Sequence, residues 1–245
     1  MVSFIIPAHN EECLIARTID ALHTAAGAVG GSYEIIVADD GSTDGTGLVA
    51  ADHGARVVRI ERRQIAAARN AGARATVCST GGDVLIFVDA DTIVPQAALQ
   101  AALNELAVGT VAGGASVRFD GPVPFWAEVM LRMFLVAFRV LRLAGGCFLF
   151  CTRNAFEAAG GWDESVFASE EVLMSQALKR HGRFVVLRES VITSGRKLRS
   201  YSAREIVGTL VRIGLSGRRA VRDRKALDLW YGPRRADPAA AVMHP

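Results

Sequence analysis

A short apolar run that ends in two carboxylates constrains the fold of this chain more than any other feature. Val84–Val88 contains only apolar residues, and Asp89 and Asp91 follow it with one residue between them. The run is too short for a typical helix and rich in β-formers, so it predicts a strand buried on both faces. The two acids then lie at the carboxyl end of the strand, where open α/β sheets bind their ligands.

Two carboxylates this close repel each other and favour a counter-ion. A hard divalent cation with oxygen ligands supplies one, so Asp89 and Asp91 are candidates for a Mg²⁺ or Mn²⁺ site. The alternative is a capped turn, because Asp91 or Thr92 can cap the helix that Pro95 helps to start. The D-x-D pattern alone does not decide between the two.

Strands and helices alternate along the first half of the chain. The patterns predict a helix capped by Asn10, further helices at 64–78 and 95–106, and strands at 2–6, 34–38 and 56–60. Such alternation is typical of βαβ units and a mostly parallel sheet. The second predicted strand runs into Asp39 and Asp40, so acids again lie at the carboxyl end of a strand.

The second half follows a different pattern. We predict strands at 110–119 and 184–187, helices at 169–180 and 201–215, and disorder past 230. Between them, 125–143 is apolar except for Glu128, Arg132, Arg139 and Arg142, which share one helix face. Three arginines make a membrane span costly. The helix therefore either covers the sheet or lies in the interface of an anionic membrane.

Composition limits the class of protein. Hydrophobic residues make up 51% of the 245 residues and charged residues 22%, enough for a sizeable core. The net charge of +3 comes mainly from arginines near the end, where few aromatic residues accompany them, so a nucleic-acid partner is not expected. The four cysteines show no C-x-x-C spacing and are expected to be reduced and mostly buried. The first residues lack a secretion-signal pattern, so a cytoplasmic location is expected.

Five stretches form an ordered set, at 7–11 (PAHNE), 39–45 (DDGSTDG), 68–72 (ARNAG), 89–91 (DAD), and 160–163 (GGWD) followed by 169–171 (SEE). In this order and spacing they resemble the family 2 glycosyltransferases, and the resemblance covers roughly residues 2 to 190. It implies an α/β GT-A fold, with a mostly parallel Rossmann-like sheet, helices on both faces and a C-terminal acceptor-side extension.

The resemblance also implies a division of the chain. Residues 1–217 would form the glycosyltransferase domain, with a nucleotide-sugar-binding half at 1–108 and an acceptor-side half at 109–217. Beyond the resemblance, the arginines that crowd the end of the chain predict a basic, flexible tail at 218–245.

The resemblance further implies roles on the donor side. Pro7, Ala8 and Glu11 would lie against the uridine of a nucleotide-sugar, and Asp40 would accept a hydrogen bond from its base. Asp89 would reach the ribose, with Ala90 beside it, and Asp91 would hold Mg²⁺ or Mn²⁺ on the diphosphate. Other contacts to the nucleotide or its phosphates would come from Arg69, Arg196 and Lys197.

Structural alternatives remain for several of these residues. Asp40 could cap a turn, Arg69 could lie on a helix surface, and Arg196 and Lys197 could belong to a solvated loop. Asp44 is better explained as a helix cap than as a site residue.

An inverting transfer needs a carboxylate that takes the proton from the acceptor hydroxyl. The family offers Glu-Asp at the start of the helix after its Gly-Gly-aromatic-Asp motif, and this chain has Glu170 and Glu171 there. By position Glu171 takes the place of the base, with Glu170 and Asp163 as rivals. The alternative is that both glutamates only favour a helix N-terminus.

The chain departs from the processive members of the family. Residues 176–180 (QALKR) do not match their Q-x-x-R-W motif, and no apolar stretch is long and uncharged enough to make a pore. We therefore predict transfer of a single sugar. If the 125–143 helix contacts the inner face of a membrane, a lipid or lipid-linked acceptor follows.

The sequence thus predicts a metal-dependent, inverting glycosyltransferase that moves one sugar from a nucleotide-sugar, most simply a UDP-sugar, to a hydroxyl acceptor. A nucleotidyltransferase is one rival, although those enzymes usually show a Gly-rich basic loop after the first strand. A binding module without activity is the other, which the Glu-Glu pair leaves open. A dehydrogenase is excluded because no G-x-G-x-x-G follows the first strand.

Overall fold

The computed structural model of the chain describes residues 1–77, 83–216, 221–224, 227–232, 235 and 237. The strands are β1 (Val2–Ala8), β2 (Tyr33–Asp40), β3 (Arg56–Ile60), β4 (Val84–Val88), β5 (Thr92–Ile93), β6 (Ala112–Asp120), β7 (Phe148–Thr152) and β8 (Phe184–Ser194). The helices are α1 (Glu12–Val29), α2 (Thr46–Asp52), α3 (Ile65–Arg74), α4 (Gln96–Ala107), α5 (Phe125–Leu141), α6 (Arg153–Ala158), α7 (Glu170–Leu178), α8 (Arg196–Ser200), α9 (Ala203–Ser216) and α10 (Asp228–Tyr231).

Within these residues the strands form one sheet in the order β3-β2-β1-β4-β7-β6-β8-β5. Strands β1 to β4 pair in parallel, and β7 is antiparallel to both β4 and β6. Strand β8 runs parallel to β6, and β5 is antiparallel to β8. The predicted α/β class with a mostly parallel sheet is confirmed. The order reverses between β1 and β4, which makes the crevice at their carboxyl ends the expected ligand site.

Residues along the central strands alternate between two buried layers. Phe4 and Ile6 of β1 pack in the layer that α1 and α4 cover, whereas Ile5 packs in the opposite layer with α6 and α7. Both faces of the strand are therefore buried, which is why it has no polar alternation. Each such side chain contributes roughly 1.5–3 kcal/mol through burial.

The alanine-rich helix α3 approaches the sheet closely. A Cβ on Gly72 would lie 2.5 Å from Cγ2 of Ile5, so only glycine lets the helix backbone come this near. Helix α3 ends at Arg74 rather than at the predicted residue 78. Cys78 itself lies outside the described residues.

Several predicted boundaries are wrong. Glu11, not Asn10, occupies the N-cap position of α1, and Asn10 has a φ of 52°. The late strand β8 continues to Ser194, well past the predicted residue 187, because it pairs with β6 along most of its length. Of the described cysteines, Cys147 and Cys151 are buried as expected and Cys13 is exposed; all three are free.

Helix α5 lies at the edge of the structure and is mostly exposed. Of its residues only Ala127 is buried. An outer stripe at every third or fourth position consists of exposed apolar residues, namely Phe125, Val129, Met133, Val136 and Val140. The helix therefore does not simply cover the sheet. None of the helices in the described part of the chain is both long and apolar enough to cross a membrane.

The described part of the C-terminal segment packs against the body of the protein. Val221 and Leu227 are buried in a small cluster with Val166 and Ala168, and the carboxylate of Asp237 pairs with the guanidinium of Arg199. These contacts differ from the predicted flexible tail. The remaining residues of 218–245 lie outside the described residues.

Candidate active site

A cavity of about 420 Å³ lies where the carboxyl ends of β1, β2 and β4 meet. Most of the predicted site residues line it, namely Pro7, Ala8, Glu11, Asp40, Arg69, Asp89, Ala90, Asp91, Glu170, Glu171, Arg196 and Lys197. These residues come from both halves of the chain, so the sheet topology brings the separate motifs together in one place.

Asp91 lies beside Glu11 and Arg196. Nη2 of Arg196 is 2.5 Å from Oε1 of Glu11 and 3.4 Å from Oδ2 of Asp91. Thr193 Oγ1 donates a hydrogen bond of 3.3 Å to Oδ1 of Asp91. One guanidinium at the start of α8 therefore links two carboxylates that follow β1 and β4.

Asp89 and Asp91 carry raised pKa values in this cavity. Burial raises the pKa of Asp91, and the charge of Glu11 raises it further, while Arg196 opposes both effects. Removal from bulk water raises the pKa of Asp89 to about 6 although Arg69 opposes it. The charged forms are thus disfavoured here, and an added cation would stabilise them.

The residues fit a hard divalent cation that a diphosphate helps to bind. The carboxylate oxygens of Asp89 and Asp91 face the same cavity, and oxygen is the ligand that Mg²⁺ and Mn²⁺ prefer. Within the described residues, no group of three or more His, Cys, Asp or Glu side chains converges to hold a metal by itself. This agrees with a Mg²⁺ type of site, in which one or two carboxylates act together with substrate phosphates.

Arg69 is buried at the centre of the site. Its side chain donates to Oδ1 of Asp89 at 3.0 Å and to the carbonyl of Gly146 at 2.8 Å, and lies 3.4 Å from Oε1 of Glu170. The guanidinium also stacks on the ring of Trp162, 4.4 Å from its centre, a favourable cation–π arrangement. Arg69 therefore orders the acids around it and does not lie on a helix surface.

Two sequence-distant motifs hold each other through Asn70. The side chain of Asn70 accepts a hydrogen bond from the backbone N–H of Trp162 and donates one to its carbonyl, both at 2.9 Å. The ring of Trp162 packs edge-on against Phe87 at 5.1 Å between ring centres. The motif at 160–163 therefore holds Arg69 through the ring of Trp162 and is itself fixed by Asn70.

The two glutamates at the start of α7 have different environments. Glu170 is buried beside Arg69, and burial raises its pKa to about 8 with a further contribution from Glu171. Glu171 reaches into the cavity, and its carboxylate lies against Gly146 so closely that a Cβ there would collide with it. Glu171 is thus the better placed of the two to meet a substrate.

Asp163 is not part of this site. It is exposed, accepts a hydrogen bond of 2.8 Å from the backbone N–H of Ser165, and borders a separate cavity behind α7. The prediction of Asp163 as a rival base is therefore not supported by its position. The turn that joins the 160–163 motif to α7 directs this side chain outward.

Asp40 combines a structural contact with a position at the cavity. Its carboxylate accepts hydrogen bonds of 2.6–2.7 Å from the backbone N–H groups of Arg62, Arg63 and Gln64. It thereby fixes the loop between β3 and α3, as the turn alternative implied. An ionised carboxylate has about four acceptor positions, so one remains for a ligand.

Sequence reasoning missed several lining residues. The Nδ1–H of His9 donates a hydrogen bond of 2.9 Å to the carbonyl of Asp40. His9 also faces the cavity, as do Gln64 and Tyr231. His9 lies inside the 7–11 motif and could have been found there. Tyr231 follows the basic segment and has no motif, so only the fold reveals it.

The model of the family "Glycosyl transferase family 2" matches residues 3–156, which is more than half of the chain. The chain belongs to glycosyl transferase family 2. The matched residues include the first four of the five motifs.

Curated relatives match a shorter part of this chain. Glucosyl-3-phosphoglycerate synthase of Mycobacterium tuberculosis is 34% identical over 98 residues, 38% of this chain and 30% of the relative. Dolichyl-phosphate beta-glucosyltransferase of Drosophila melanogaster is 35% identical over 99 residues, 37% of this chain and 30% of the relative. The matched stretch thus spans less than a third of the length of these relatives.

Solved structures share the fold over nearly the whole chain. Glucosyl-3-phosphoglycerate synthase of M. tuberculosis in complex with Mn²⁺, UDP and phosphoglyceric acid has a TM-score of 0.60 at 22% identity, covering 96% of this chain and 80% of that one. The mannosyltransferase PcManGT of Pyrobaculum calidifontis with GDP-Man and Mn²⁺ has a TM-score of 0.67 at 21% identity, covering 94% and 66%. The GT-A fold of this family is thereby established for the chain.

Proposed function

We propose that this protein is an inverting glycosyltransferase that moves one sugar from a nucleotide-sugar to a hydroxyl group of an acceptor. The observation that carries the proposal is the convergence of Asp40, Asp89, Asp91 and Glu171 on one cavity at the switch point of the sheet. The donor half at 1–108 and the acceptor half at 109–217 meet at this cavity.

A UDP-sugar fits the donor side. The free acceptor position of Asp40 suits the imide N–H of uracil, with Pro7, Ala8 and Glu11 along the same wall and Asp89 nearer the ribose. The M. tuberculosis structure contains UDP and Mn²⁺, whereas the P. calidifontis structure contains GDP-Man and Mn²⁺. These two complexes support a nucleoside diphosphate sugar as donor, and the hydrogen-bond match between Asp40 and uracil favours UDP.

Asp91, assisted by Asp89, would hold Mg²⁺ or Mn²⁺ on the diphosphate. When bound, such an ion stabilises the negative charge that develops on the leaving diphosphate. In the described structure Arg196 neutralises Asp91 and Glu11. Its guanidinium and the ammonium of Lys197 lie at the cavity, where both can also contact phosphate oxygens.

The reaction assigns the base role to Glu171. The acceptor oxygen attacks the anomeric carbon, the bond from that carbon to the diphosphate oxygen breaks, and the diphosphate leaves with the electron pair. The proton of the acceptor hydroxyl passes to the carboxylate of Glu171. Attack on the face opposite the leaving group inverts the anomeric configuration. Glu170, protonated and paired with Arg69, positions the guanidinium beside Asp89.

Thermal unfolding with nucleotides tests the donor site. UDP with Mn²⁺ should stabilise the protein, by about 2.7 kcal/mol at a hundred times its Kd, and GDP, CDP and ADP should stabilise it less. Asp91→Asn should abolish the metal-dependent part of the shift. Asp163→Asn is the matched control, because this carboxylate lies outside the cavity, and it should keep the full shift.

Turnover of UDP-sugars then separates an enzyme from a binding module. Wild-type protein should release UDP and Glu171→Gln should not, although both bind UDP. Stabilisation by none of the nucleotides would contradict the donor site, and UDP binding without turnover of any UDP-sugar would favour the binding module.

Helix α5 supports a further part of the proposal, contact with an anionic membrane surface. Its outer stripe of exposed apolar residues, defined above, shares the helix with the exposed Arg132, and the exposed Arg142 follows the last residue of the helix. Apolar and basic residues together favour the interface of an anionic bilayer. Arg139 does not take part, because its guanidinium turns inward to Ser116 Oγ at 2.9 Å. Membrane contact would place the cavity next to lipid-borne acceptors.

A further inference from the structure

A second cavity, of about 330 Å³, opens from the carboxylates of the active site and runs beneath α5. Asp89, Asp91, Glu171 and Lys197 line both cavities. We name the second one the α5 cavity. Since a bound donor would occupy the first cavity, the α5 cavity offers an acceptor a separate approach to Glu171 among the described residues.

The walls of the α5 cavity are apolar away from the shared end. Strand β6 contributes Ala115, Val117 and Phe119 on one side. Helix α5 contributes an inner stripe opposite its exposed stripe, namely Leu131, Phe134, Leu135 and Phe138. Such a surface binds hydrocarbon and offers few hydrogen-bond partners to a polar molecule.

Charge argues against a small anionic acceptor in this space. Of the described residues that line the α5 cavity, only Lys197 is cationic, and it lies at the same end as Asp89, Asp91 and Glu171. A phosphorylated acid would therefore meet three carboxylates and apolar walls. In an acceptor with a neutral hydroxyl and an apolar chain, the hydroxyl suits the end that carries the carboxylates and the chain suits the apolar walls.

We infer that the acceptor is an amphiphilic alcohol whose hydroxyl lies at Glu171 and whose apolar chain fills the α5 cavity. This inference rests on the proposed function and names the acceptor class for it. The inner stripe of α5 binds the chain, and the outer stripe of the same helix faces away from the cavity, so the two apolar sides of α5 have separate roles.

Titration of the full-length protein with n-alkyl β-D-glucosides of four to ten carbons, below micelle formation and with UDP and Mn²⁺ present, tests the inference. Each added methylene should tighten binding about fourfold until the cavity is full, after which the gain should stop. UDP binding is measured first and without any glucoside, so failure of the donor site is recognised independently.

Two neighbouring positions of α5 provide a matched pair. Leu135→Ser changes the inner stripe and should weaken octyl glucoside binding by tenfold or more, whereas Val136→Ser changes the outer stripe and should leave it unchanged. The wild-type chain-length series needs no variant and stands even if Leu135→Ser fails to fold.

Three results would overturn the inference. If the affinity for the glucosides did not depend on chain length, the α5 cavity would not bind an apolar chain. If both serine variants weakened octyl glucoside binding equally, the inner stripe would not be the specific binding surface for the chain. Tighter binding of n-alkyl phosphates or phosphoglyceric acid than of the glucosides would exclude the neutral hydroxyl.

Discussion

At the scale of single residues, Gly146 leaves the space that the carboxylate of Glu171, the proposed base, occupies. Its carbonyl accepts from Arg69, and a Cβ would collide with the carboxylate of Glu171 but not with the backbone of α7. Gly146→Ala should therefore fold normally and displace this carboxylate, because the end of a glutamate moves easily. We expect kcat to fall about 10²–10⁴-fold, the range for loss of a general base, with UDP affinity unchanged.

Gly145 is the control for this experiment. A Cβ there would meet only Val117, at an ordinary distance of 3.5 Å. Neither glycine has a positive φ, so alanine strains neither backbone. Steady-state kinetics that show equal kcat for the Gly146→Ala and Gly145→Ala variants would contradict the role of Glu171.

Residue identities predicted the site better than they predicted its internal contacts. The acids at the ends of β1, β2 and β4 could be placed together because parallel strands end at one edge. Asp163 could not be excluded from the sequence, since a turn of a few residues decides where its side chain points. The burial of Arg69 depends on Trp162 and Asn70, whose mutual contacts no local pattern reveals.

At the scale of elements, hydrophobic periodicity predicted the central strands and most helices. It also predicted α5, but it left open whether this helix covers the sheet or lies in a membrane interface. The structure shows an inner stripe at the α5 cavity and an outer stripe in solvent. The length of β8 was missed for a different reason. Arg188, Glu189 and Ser190 interrupt the β-forming pattern, and pairing with β6 carries the strand past them to Val191, Ile192 and Thr193.

The outer stripe of α5 gives a prediction at this scale. Wild-type protein should float with vesicles that contain anionic lipid, and Met133→Glu should lose most of this binding, because a carboxylate on the stripe opposes both burial and charge attraction. Flotation should weaken at high salt, which screens the arginines.

Leu48→Glu is the matched control, since Leu48 and Met133 are each 68% exposed. Leu48 lies on α2, away from the stripe. Equal flotation of both variants, or no flotation of the wild-type protein, would remove membrane contact from the proposal.

At the scale of the whole molecule, the site joins the two halves of the chain through buried polar side chains. Arg69 of the first half pairs with Glu170 of the second half, and both side chains are almost fully buried. The chain therefore folds around a polar centre between the two halves, and the stability of the whole protein should depend on the protonation of that centre.

Glu170 provides the test of this dependence. Burial and the neighbouring Glu171 raise the pKa of Glu170 from 4.5 to about 8, so between these values the folded state holds a proton that the unfolded state has lost. The contribution of the group to stability is complete below pH 4.5 and is lost as pH rises to 8.

Glu170→Gln mimics the protonated form and removes this loss. Urea unfolding across this range should therefore show the free energy of unfolding of the wild-type protein falling by up to about 1.4 kcal/mol per pH unit relative to the variant. Parallel pH profiles for the two proteins would mean that Glu170 is ionised beside Arg69, and that the charge of the pair, not its proton, holds the halves together.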